Sequence, residues 1–167
     1  MPFGAAMKFF ETALSLKFER CEGEHLEFLK DFNRLNKNAV LTRFKQAAAK
    51  VNFSEGEELL FKLFLSLKED IMRMDDKISQ KNSPLVLKNE AMICGVGFEG
   101  IKFSTPCLEN GALYYAKTEI NREIMGFFFV AQNESEGEIT RIKKEDKSLF
   151  DAFVVETQRQ NILKGKQ

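Results

Sequence analysis

The sequence holds one histidine, three cysteines without a C-x-x-C pair, and no surplus of either charge. Each shortage removes a class of function. A lone histidine, His25, excludes a histidine-based metal cluster, and its polar run Glu22-Gly-Glu-His25 reads as a helix start. Cys21, Cys94 and Cys107 are sparse and odd in number, which fits a reducing compartment and small buried hydrophobes. Lys plus Arg equals Asp plus Glu at 25 each, so the basic excess of a nonspecific nucleic-acid binder is missing. No apolar run reaches the ~18–20 residues that span a bilayer. The start, Met1-Pro-Phe-Gly-Ala-Ala-Met-Lys-Phe-Phe10-Glu11, carries a lysine inside its apolar stretch and is a poor secretion signal. The expectation is a soluble, cytoplasmic chain that binds no nucleic acid, enters no membrane and holds no metal. The acid pairs Glu57-Glu58, Asp75-Asp76 and Glu145-Asp146 read as solvated carboxylates, and with no nucleophile–base set no enzyme is expected.

What is present divides the chain near Asn82-Ser-Pro84 into a mostly helical part, 1–81, and a mostly extended part, 82–167. The class is α+β. A chain near 150 residues buries roughly 68–70% of its unfolded surface, so no staple is required. Upstream, Leu26, Leu29 and Phe32 mark a helix to about Leu35, and Val40, Phe44 and Ala47 to Ala49 continue a helical pattern to about Val51. The period-two run from Leu14 to Arg20 reads instead as a strand, which either joins a barrel or forms an edge. Downstream, Leu113 to Ile120, Ile124 to Ala131 and Glu138 to Ile142 read as strands, with a hairpin turn at 134–138. Phe127-Phe-Phe129 places a ring on each side of its strand. A helix from Ser148 to Leu163 closes the chain.

The clearest helix is 55–81. Ser54-Glu-Gly-Glu57 is a capping box, after which Leu60, Phe64, Leu67, Ile71, Met74 and Ile78 recur at spacings of four and three. That is an a/d heptad seam, with Lys68, Asp70, Asp75 and Lys77 at flanking e and g positions. Such a helix is about 39 Å long at 1.5 Å per residue, longer than a small barrel is wide. The seam packs either on the chain's own helices at 26–51 or on another chain; its strictness favours the second, and with it a dimer or tetramer. Leu59, Phe61, Leu63 and Leu65 widen the apolar surface in the first turns.

Gly95-Val-Gly-Phe-Glu-Gly-Ile-Lys-Phe103 sets three glycines ahead of an alternating strand, Ile101 and Phe103. A phosphate cradle of the P-loop or dinucleotide type needs a following helix, whereas a strand follows here. The favoured reading is a strand turn in which Gly95 or Gly97 holds a conformation denied to other residues. The segment resembles the signature of PilZ domains, bacterial receptors for cyclic di-GMP: Asp or Asn, one residue, Ser, two residues, Gly, then an apolar-x-apolar strand. Gly100 matches the glycine, but Gly95 and Gly97 replace the acid or amide and the serine. A heptad helix leading into such a frame looks like the atypical PilZ subfamily, in which extra helices drive oligomerisation. The likeness runs from about Leu26 to Gln160 and takes in Leu60-Phe-Lys-Leu-Phe-Leu-Ser-Leu67, Leu108-Glu-Asn-Gly111-Ala-Leu113 and Phe150-Asp-Ala-Phe-Val-Val-Glu-Thr-Gln158.

The resemblance implies N-terminal helices, a six-stranded barrel and a C-terminal helix, acting as a noncatalytic signalling or scaffold module with protein partners in bacterial signalling or motility. It also implies where cyclic di-GMP would bind: an Arg-x-x-x-Arg pair before the barrel, matched here by Arg73-Met-Asp-Asp-Lys77, together with Gly95, Gly97 and Gly100. Lysine lacks the planar fork of arginine. At ~1–3 kcal/mol for each good bidentate pair, the missing groups cost ~3–6 kcal/mol. That is about a hundredfold to more than ten-thousandfold in affinity. No cofactor is therefore expected, and cyclic di-GMP is disfavoured. The alternative is a receptor using a rearranged site at Arg73, Lys77 and the backbone amides of 95–100. On the family's frame, Gly95→Asp, Gly97→Ser and Lys77→Arg together would restore affinity.

Overall fold

A computed structural model describes residues 7–23, 25–35, 37–78 and 85–165. The elements in chain order are β1 (Phe10–Arg20), α1 (Leu26–Arg34), α2 (Lys37–Ala48), α3 (Glu55–Ile78), β2 (Asn89–Val96), β3 (Gly100–Phe103), β4 (Leu113–Ile120), β5 (Glu123–Ala131), β6 (Glu136–Ile142) and α4 (Lys144–Gly165). They form two compact units. One joins residues 1–35 to 86–167, and the other is 36–85. The expected division at 81/82 is therefore corrected at its N-terminal side: β1 and α1 belong with the barrel, not with the long helix.

The first unit is a closed antiparallel barrel in the order β1-β2-β3-β6-β5-β4. Alternation in β1 sends Leu16 and Phe18 into the core, and β1 closes the barrel by pairing with both β2 and β4, Phe18 lying opposite Asn89 and Ala116. This settles the open place of residues 14–20. Phe103, Tyr114, Phe127 and Phe129 fill the interior, with Tyr114 and Phe129 stacked at 5.2 Å between centroids. α4 adds Phe150 and Val154 to the same cluster. β2 escapes the alternation pattern because its register shifts between Ile93 and Gly95, where it pairs with β3.

Outside the barrel wall, α1 lays Phe28 against Tyr115 and Phe32 edge-on to Phe128. Phe128 is thus the ring of the Phe127–Phe129 run that faces α1. α4 starts at Lys144, four residues before the expected Ser148, because Glu145 and Asp146 supply an acidic first turn. Asp146 is buried, not solvated as its neighbour pair implied.

In the second unit, α2 and α3 are tied by a Lys45–Glu69 ion pair at 2.8 Å, and Phe61 stacks on Phe53 at 5.4 Å. The capping box forms: Ser54 Oγ accepts from the Glu57 backbone N–H at 3.3 Å and donates to Glu57 Oε1 at 3.0 Å. Glu57 therefore reaches back to the serine hydroxyl.

Candidate functional site

The glycine run is a hairpin. Gly97 N–H donates to Gly100 O at 2.9 Å and Gly100 N–H to Gly97 O at 3.4 Å, leaving Phe98 and Glu99 exposed at the tip. Gly95 pairs with Glu11 of β1 and Lys102 of β3. The amides at 97 and 100, candidate anion donors in the sequence, are thus spent on the hairpin. Among the described residues, positive-φ glycines occur at Gly23 and Gly111, so neither Gly95 nor Gly97 holds the special conformation expected of it.

Close approach explains these glycines instead. Residues Met7 to Phe9 lie along the run. A Cβ at Gly97 would stand 2.3 Å from Lys8 O; one at Gly95 would meet Phe9 Cβ at 3.1 Å. At Gly100 a Cβ would meet Gly137 O and Met7 Sδ, both at 2.6 Å. Just after the segment, β1 is tied to α4 by Asn161, whose Oδ1 accepts from Glu11 N–H at 2.8 Å and whose Nδ2 donates to Glu11 O at 2.9 Å. The chain's own N-terminal strap occupies the space that side chains at 95 and 97 need. Gly97→Ser collides with the Lys8 carbonyl, and Gly95→Asp requires Phe9 and Lys102 to shift by a few tenths of an ångström, so the expected repair of the motif does not fit this backbone at 97.

Arg73 lies in the helical unit, where its side chain is exposed and pairs with Asp70 one turn earlier. The side chain of Lys77 lies outside the described residues, as does that of Ile78. The structure therefore gathers the three glycines in the barrel unit, while the two cationic positions belong to the other unit.

The remaining seam residues, Leu60, Phe64, Leu67, Ile71 and Met74, follow one stripe of α3 and are 49–65% exposed. Leu59 and Leu63 beside them are exposed as well. A different stripe carries Phe61 and Glu69, which bond within the unit, and the half-buried Leu65 and buried Met72. The stripe that the heptad pattern singles out is not the one α3 uses toward α2.

One polar cluster was not foreseen. The Tyr115 hydroxyl donates to Asp31 Oδ2 at 2.7 Å, and Lys117 Nζ lies 3.1 Å from the same oxygen, with Asp31 and Tyr115 buried. Burial, then the Asp31 bond and charge and the Asp146 charge, push the Tyr115 hydroxyl well above its ordinary value, against a lowering influence of Arg34. The signal was an acid on the apolar stripe Phe28, Asp31, Phe32 of α1. Burial and the charge of Glu19 push the Cys21 thiol up to about 11. Cys107 is exposed rather than the small buried hydrophobe expected.

Among the described residues, no group of three or more His, Cys, Asp or Glu side chains is placed to hold a metal ion, and no helix is long and apolar enough to cross a membrane. No family model matches the chain, and no curated protein is significantly similar to it. Among solved structures, it is similar to a pathogenic protein from Xanthomonas campestris, described as a new tetrameric PilZ domain self-assembled via an unusual helical bundle. The similarity has a TM-score of 0.39 at 11% identity and covers 98% of this chain and 93% of that one.

Proposed function

We propose that this chain is a noncatalytic PilZ-like scaffold module that self-associates through α3 and does not use cyclic di-GMP as a ligand. The observation that carries the reading is the stripe of Leu60, Phe64, Leu67, Ile71 and Met74, which stays exposed among the described residues. Large apolar side chains left about half exposed at heptad spacing are unfavourable in water, each by part of the roughly 1.5–3 kcal/mol that full burial gains, and a second chain relieves that cost. The ligand half rests on the hairpin: its amides at 97 and 100 are paired with each other's carbonyls, its side-chain positions at 95 and 97 are glycine, and the strap of residues 7–9 lies over it. The barrel would present surfaces to protein partners, in signalling or motility by the family resemblance, in a cytoplasmic setting.

Light scattering tests the first half. The chain at tens of micromolar should have at least twice its monomer mass, and Ile71→Asp should lower that mass without changing the circular dichroism spectrum. A monomeric parent chain refutes self-association. Calorimetry with cyclic di-GMP at low salt tests the second half: no binding tighter than about 100 µM is expected, weaker than ~5.5 kcal/mol. Low-micromolar binding would instead favour the receptor reading with a rearranged site.

A further inference from the structure

α1 lies outside a barrel that the six strands close without it. Among the described residues, the core cluster takes Tyr114, Phe127 and Phe129 from β4 and β5 but no residue of α1. Phe28 and Phe32 pack instead on Tyr115 and Phe128, which alternate to the outer face of the same strands. Nine residues are too few for a helix to persist by itself in water, and the N-cap, His25, makes no side-chain capping bond. α1 is helical because of the seat beneath it.

That seat is cationic. Lys117 of β4 stands directly opposite Lys17 of β1, a like-charge pair that disfavours the pairing of those strands. Arg141 and Lys143 lie over the Phe32 ring at 5.4 and 5.3 Å, and Lys143 Nζ donates to Leu35 O, at the end of α1, at 2.8 Å. Asp31 is the buried anion that α1 brings to this surface. One of its oxygens takes both the Tyr115 hydroxyl and Lys117 Nζ, and the Lys117 side chain is only 13% exposed. The charges of Arg34 and Asp146 also reach the Tyr115 hydroxyl, with opposite effects. The fit extends to the backbone, because a Cβ at Gly126 would stand 2.8 Å from both Leu35 Cδ1 and the Tyr115 hydroxyl oxygen.

Neutralising Asp31 would leave Lys117 shielded from water without this carboxylate, which is costly. Lys117 alternates with the core residue Ala116 and so points outward from β4. Lifting α1 is therefore enough to hydrate it, and no strand has to part. The covalent chain gives that motion a consequence. α1 is the last barrel element before the insertion of residues 36–85. With α1 seated, the insertion is anchored to the barrel at both ends. With α1 lifted, it is anchored only where the chain returns toward β2, at the buried Leu87. We propose that α1 is a charge-keyed latch, opening as a unit while the barrel stays closed and held shut by the Asp31 carboxylate. The latch sets whether the insertion that carries α3 is tied to the barrel by two ends or by one.

Hydrogen exchange of the full chain, followed amide by amide, reads the two parts separately. In the parent chain the amides from Leu29 to Leu35 should exchange at least about tenfold faster than the slowest amides of β4 and β5. Equal rates would mean that α1 and the barrel open only together, which overturns the inference. Asp31→Asn keeps an oxygen for the Tyr115 hydroxyl and removes the charge. It should speed α1 by a further factor of about ten or more, while the slowest β4 and β5 amides stay within about threefold of the parent. No rise in α1, an equal rise in both elements, or a variant that does not fold overturns the latch. Adding Lys117→Met to Asp31→Asn removes the opposing charge and should return α1 to within about threefold of the parent. A double variant as open as Asp31→Asn alone would assign the loss to packing and refute the charge key.

Discussion

Tyr115 joins α1 to the barrel wall through a hydroxyl that must keep its proton to donate to Asp31. Its ionisation is held well above the ordinary 10.0, chiefly by burial, and that of Cys21 rises from 9.0 to about 11. In the unfolded chain both groups titrate near their ordinary values. Between these and the folded values, the unfolded state has lost protons that the folded state retains, so stability falls as pH rises. The contribution is complete below pH 9. It declines through the Cys21 window up to about 11, and through the Tyr115 window from 10.0 upward. Denaturant midpoints measured from pH 8 to 11 should fall at the alkaline end, and Tyr115→Phe should flatten the fall above pH 10. An identical slope in the Phe variant would show that the hydroxyl is not the responsible group. The partner Asp31 is a different case, since removing it leaves Lys117 as a largely buried charge without this carboxylate.

At the scale of elements, the β2–β3 hairpin and the strap of residues 7–9 explain one another. Lys8 O approaches Gly97 so closely that even a methyl group must displace backbone, which does not yield as a flexible side chain does. Gly97→Ala should therefore destabilise the chain by about 1–3 kcal/mol. In a chain beginning at Phe10 most of that loss should vanish, because the obstructing carbonyl is gone. Equal losses in the two backgrounds would refute the strap as the cause. The glycine spacing was visible in the sequence, but its reason was not: nothing in Met7-Lys-Phe9 marks a segment that docks on backbone. β4 and β5 were legible because their residues alternate against one core, whereas the bulge in β2 breaks that period. The α3 seam was legible because heptad spacing survives alongside a second stripe that serves the chain's own packing. Asp31 went unread, since its partners Tyr115 and Lys117 lie more than eighty residues away in sequence.

The molecule as a whole is a barrel interrupted by a helical insertion, because β1 and α1 precede residues 36–85 while the other strands follow them. β1 is not an accessory. It closes the barrel between β2 and β4 and contributes Leu16 and Phe18, both fully or nearly buried. Those two side chains alone are worth roughly 3–6 kcal/mol, a large share of the ~5–15 kcal/mol that holds a typical domain together. Without β1 the facing edges of β2 and β4 would also carry unpaired backbone groups and invite aggregation. Two truncations follow. A fragment of residues 82–167, the unit that composition alone marks out, should fail to fold cooperatively. A chain in which a flexible Gly/Ser linker replaces 36–85 should keep a cooperative melt and the barrel's circular dichroism, because every strand and the α1 latch remain. It should also be monomeric by light scattering, with a melting temperature independent of protein concentration, while that of the full chain rises with concentration as mass action requires. A well-folded 82–167 fragment would refute the role given to β1. An oligomeric linker variant would place self-association on the barrel unit instead of α3.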